Sequence, residues 1–82
     1  MRFLFLVYGA AGNGADKLRP AATATTVRVR DGQTVVRDGP FAEPPEELTG
    51  FRVVECDDLD EALAAAAELR AAAVEVRPEY LS

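Results

Sequence analysis

A chain of 82 residues, 49% of them hydrophobic, has the size of one small domain, because two separate cores would each be too small to fold unaided. Its net charge of −5, from 14 acids against 9 bases, argues against nucleic acid or an anionic membrane as a partner. Histidine is absent and Cys56 is the one cysteine, which excludes histidine-dependent nucleophiles, histidine metal sites and intrachain disulfides.

Residues 2–8 (RFLFLVY) read as a strand of aromatic and β-branched residues ended by Gly9. Phe3, Phe5 and Val7 point one way and Leu4, Leu6 and Tyr8 the other, so both faces are apolar, as in a central strand covered on both sides. Preceded by Met1-Arg2, this stretch is short and strand-like for a secretion signal, and no apolar run approaches the ~20 residues of a membrane helix. The expectation is a cytoplasmic domain spanning 1–82. Residues 9–22 hold three glycines and Pro20, which predicts a loop or one helical turn.

Strands are predicted over 24–30 and 33–37, joined by Asp31-Gly32, the pair that favours a type I′ hairpin turn. Val27 and Val29 alternate with Arg28 and Arg30, which predicts one buried and one wet face. The second arm alternates too poorly to set a register. Residues 38–50 read as an ordered loop with a helical turn at Glu46–Leu48, and 51–56 as another strand. Asp58, three residues before Glu61, predicts a capped helix start. The helix is expected over 59–72, with Leu59, Ala62, Leu63, Ala66 and Leu69 facing the core. A last strand carries Val74 and Val76 and ends at Pro78. Several strands and one helix make an α+β domain. One helix covers one sheet face, so a second copy is expected to cover the other, making a homodimer; the rival reading is a small satellite domain of a larger complex.

Three groups bear on chemistry. Gly9-Ala-Ala-Gly12-Asn-Gly14 follows a strand like a dinucleotide-binding turn. But Pro20 stops any helix and no acid ends a second parallel strand, so no cofactor is expected. Asp57, Asp58, Asp60 and Glu61 suit a helix N-terminus without a metal, and none is expected. Cys56 lies beside those acids and reads as a small core residue.

Asp38-Gly39-Pro40-Phe41 fixes an acid and an aromatic side by side on a rigid turn, which can line a small pocket. The Asp38 carboxylate is expected to accept from the Phe41 N–H and so close the turn. Asp38 is the candidate catalytic acid. The candidate ligand-binding residues are Asp38, Gly39, Phe41, Tyr8 and Arg28.

TVRVRDG at 26–32, DGPFAE at 38–43, Glu46, Leu48, Gly50-Phe51, DDLDEAL at 57–63 and VEVRP at 74–78 follow an opening strand over Met1 to Tyr8. This ordered set resembles the DGPF group of YCII-related proteins. The resemblance implies a ferredoxin-like unit that pairs into a dimeric α+β barrel. It further implies an enzyme or a binder of small molecules. Members beside extracytoplasmic-function sigma factors imply a possible regulatory partner, and relatives in the wider group use a His–Asp pair, one of them in removing chloride from an aromatic ring.

Three departures stand out. The group's first long helix and its following strand are replaced by the glycine-rich stretch 9–22, so the first helix is expected to be lost. Pro44-Pro45 replaces the usual Thr-Lys, and the His–Asp pair cannot form. The leading functional expectation is therefore a vestigial or non-enzymatic module for a small anionic or aromatic ligand. The alternatives are a lyase or hydrolase using Asp38 as acid/base, and an interaction module serving a regulator.

Overall fold

The computed structural model describes residues 1–9, 16–42 and 45–80. Strand β1 (Arg2–Tyr8) runs between β5 (Leu48–Glu55) and β6 (Ala73–Pro78), antiparallel to both. A two-residue strand, β2 (Asp16–Lys17), pairs with β5 at Phe51 and Gly50 and completes the sheet order β2-β5-β1-β6. Helix α1 (Leu59–Ala67) connects β5 to β6, two parallel strands with β1 between them. This split β-α-β arrangement in an antiparallel sheet is compatible with a ferredoxin-like fold. A separate hairpin, β3 (Thr25–Arg30) with β4 (Gln33–Asp38), forms its own two-stranded sheet.

The core lies between β1 and α1. Phe3, Phe5 and Val7 are fully buried against Ala62, Ala66 and Leu69, with Cys56 at one end and Val54, Val74 and Val76 around the edge. Each of the three β1 side chains contributes about 1.5–3 kcal/mol of transfer free energy. Alanine at 62 and 66 lets the helix backbone approach the sheet closely enough for the phenylalanines to fill the layer.

The expected helix stripe is only partly right. Leu59 and Leu63 are about half exposed, and the buried row is Ala62, Ala66 and Leu69. The row is set at i, i+4 and i+7, and alanine fits it as well as leucine does. The N-terminus is capped as expected, with the Asp58 side chain accepting from Glu61 N–H at 2.9 Å. Glu61 in turn accepts from Asp57 N–H at 3.1 Å, so two of these acids serve the helix start. The helix ends at Ala67, five residues earlier than expected, and Arg70 adopts a left-handed backbone with φ +53° just beyond.

Other differences are local. The loop expected over 9–22 contains β2 and a 3₁₀ turn at Ala21–Thr23. Residues 10–15, where the first helix of the resembling group would begin, lie outside the described residues. Leu48 opens β5 instead of closing a helical turn, because its segment pairs with Tyr8 at the end of β1.

The hairpin turn is as expected: Asp31 has φ +51° and Gly32 φ +76°, the two positive values that a type I′ turn requires. Register pairs Val27 with Val36, Arg28 with Val35 and Val29 with Thr34. The expected buried valine face is not buried within one chain. Val29 is 70% and Val36 63% exposed, because β3 and β4 pair with each other and not with the main sheet.

A Cβ at Gly32 would meet no atom within 4 Å, so a substitution there tests backbone strain alone. Gly32→Val should cost roughly 1–3 kcal/mol, because a β-branched residue resists positive φ. Thermal melts check this, and an unchanged melting temperature would mean that another turn joins the two strands.

Candidate functional site

Of the candidate residues, Tyr8 and Phe41 line one cleft where the hairpin meets the end of β1, and Arg28 adjoins it through the Phe41 ring. Opposite Val7-Tyr8 the pairing with β5 slips, and Thr49 is the extra residue between Leu48 and Gly50. Such a bulge re-aims neighbouring side chains. The Thr49 hydroxyl donates to the Gly9 carbonyl, and Gly9 N–H donates to the Glu47 carbonyl at 2.8 Å. These bonds fix the point where β1 ends and place the half-buried Tyr8 in the wall of a cleft.

That cleft has a volume of about 800 Å³. Tyr8 and Leu48 form one side, Ala24, Thr25 and Thr26 another, and Pro40, Phe41 and Pro45 a third. Glu47 also lines it and was not singled out from the sequence; its place depends on the bulge, which no sequence pattern marked.

Phe41 is 67% exposed, and the Arg28 guanidinium lies over its ring, 5.2 Å from the centroid. A cation so placed is attracted to the negative ring face, and the contact holds both groups at the rim. Gly39 turns the chain from β4 toward Phe41 with φ +105°, a conformation that only glycine adopts easily. Its N–H donates to the Ala24 carbonyl at 2.7 Å, and its carbonyl accepts from the Thr26 hydroxyl at 2.7 Å.

Asp38, like Arg28 and Gly39, is not a lining residue. It pairs with Thr25 across the hairpin, which puts its side chain on the face of Val27 and Val36, opposite the face of Arg28. The expected bond to Phe41 N–H is not made: the turn is held by Thr26 and the Gly39 backbone instead. Asp38→Ala and Asp38→Asn should therefore both stay within about 0.5 kcal/mol of the parent in thermal melts. A loss above about 1 kcal/mol for Ala alone would restore the closing bond to the carboxylate.

Cys56 is buried, away from the cleft, as expected of a core residue. Burial first, and the Glu61 carboxylate second, push its thiol pKa up, so the thiol stays protonated and is a poor nucleophile.

The fold and cleft together define a small α+β domain with one helix-covered sheet face and a mainly apolar, ligand-sized recess beneath a β-hairpin. The family model of the YCII-related domain matches residues 1–80, and the chain belongs to that family. It is also 46% identical over 67 residues to an uncharacterized protein of Rhizobium meliloti (strain 1021). That match covers 76% of this chain and 54% of the relative, so the chain spans about half the length of the curated relative it matches. Among the described residues no helix is long and apolar enough to cross a membrane.

Proposed function

We propose that this chain is a single small-molecule-binding domain of the cytoplasm, without catalytic activity of its own. The carrying observation is the cleft of about 800 Å³ that Tyr8 and Phe41 both line. A volume in this range takes a drug-sized ligand, and walls of aromatic, proline and alanine side chains favour an apolar one. Arg28 and the threonine hydroxyls can orient a ligand, whereas Asp38, the acid considered for catalysis, faces away. In a thermal-shift panel of small apolar and aromatic compounds, a true ligand at 100 times its Kd should stabilise the fold by about 2.7 kcal/mol. Phe41→Ala should then weaken that ligand by about tenfold or more. A panel without a shift, or binding indifferent to Phe41→Ala, overturns the proposal.

The protein is further proposed to act as a homodimer. Leu4, Leu6, Phe51 and Val53 share the sheet face opposite α1, and among the described residues no second layer covers them. Sedimentation at low micromolar concentration should give twice the 8.8 kDa of one chain. A folded monomer at that concentration rules the dimer out.

A further inference from the structure

We infer that the ligand of this cleft is a small carboxylic acid, an apolar or aromatic body carrying one planar anionic head; this rests on the cleft being a binding site. Arg28 and Arg37 are the groups that receive the head. Arg37 pairs with Thr26, and Thr26 and Arg28 are two residues apart on one strand, so both arginines share a hairpin face with the lining residue Thr26 and stand outside the lining themselves. As diagonal cross-strand neighbours their backbones lie about 7–8 Å apart, within reach of one small anion for side chains this long.

Neither guanidinium forms an ion pair among the described residues, although the protein carries 14 acids. Arg28 is held in place without one, because the Phe41 ring supports it from below at 5.2 Å. A guanidinium positioned by stacking keeps its N–H fork free, and that fork matches a carboxylate bidentately. Phe41 itself lines the cleft, so the cation and the apolar wall meet at one residue. An apolar body resting on Phe41, Pro40 and Tyr8 would put an attached carboxylate at the arginine rim. Glu47, on the β5 side of the cleft, repels an anion and so favours the hairpin side for the head.

The test titrates the protein with 2-naphthoate and, separately, with its uncharged analogue 2-naphthamide, following ligand fluorescence. The acid should bind on the order of tenfold more tightly than the amide, the factor expected of a charge-assisted contact at a partly open site. Arg28→Gln and Arg37→Gln should each remove most of that preference by weakening the acid more than the amide, as losing the ionic contact would. Glu47→Gln should leave or sharpen the preference for the acid.

Equal binding of acid and amide, or a preference that survives both arginine variants, overturns the carboxylate inference and leaves the cleft as a neutral-ligand site. Binding of neither compound, while the chain is folded by circular dichroism, overturns the inference together with the binding function. The amide thus separates the two failures, and since both arginines are exposed, their variants should keep the parent's melting temperature.

Discussion

Gly9→Ala is expected to remove on the order of 2–4 kcal/mol of stability, the sum of overpacking and strain at a positive φ. A domain of this length has roughly 4–12 kcal/mol in all, so the variant should be partly unfolded under mild conditions. An added Cβ would lie 2.6 Å from the Ala72 Cβ and 3.3 Å from its backbone nitrogen. The position also has φ +81°, so even free space would not make it comfortable for alanine. The two contributions can be separated. Ala72→Gly removes the closest atom but not the strain, so in the Gly9→Ala/Ala72→Gly pair part of the loss should return. Urea unfolding of the two single variants and the double variant measures this coupling. An unchanged midpoint for Gly9→Ala would mean that the end of β1 does not approach Ala72 as described.

Phe5→Ala should cost about 3–5 kcal/mol, the usual range for emptying a buried aromatic site. Phe5 is 1% exposed and sits between Arg52 and Val76 in the sheet, beneath α1. The core is thin because alanines supply much of the helix side, so few large neighbours can move in to fill the space. Phe41→Ala, in contrast, removes a ring that is mostly exposed, and should cost less than about 1 kcal/mol. Denaturant melts of the two variants side by side distinguish a core phenylalanine from a site phenylalanine. Similar losses for both would place the Phe41 ring in the core instead of at the cleft.

The elements legible in the sequence were those whose local chemistry leaves one solution. The run Phe3 to Tyr8 has no helical period, Asp31-Gly32 tolerates two positive φ values, and Asp58 caps its own helix start. What was missed depends on partners distant in the chain. Asp16–Lys17 is a strand only because the edge of β5 receives it. Leu48–Gly50 reads as loop because Gly50 weakens a strand signal, yet Tyr8 and Val7 pair with it.

The end of α1 was hidden because alanines continue to Ala73 with no stop signal. The site divides in the same way. Tyr8 and Phe41, legible as side chains, line one recess, and Arg28 lies over the Phe41 ring. The side of the hairpin taken by Asp38 was not legible, because a turn motif does not tell which face its first residue takes. That depends on register, and the weak alternation of Gln33–Arg37 left the register open.

Among the described residues the two sheets share no hydrogen-bonded ladder, and this gives the molecule two layers of cooperativity. The amides of β1 and β5 are locked into the same unit as the phenylalanine core, so they open only with most of the global free energy. Those of β3 and β4 are protected chiefly by each other, and a lone two-stranded ribbon is marginal in water. The cleft takes one wall from each unit. A bound ligand therefore bridges a rigid partner and a yielding one, and part of its affinity goes into ordering the hairpin. Slower hydrogen exchange in Thr25–Asp38, with little change in β1, would be the signature of an occupied site.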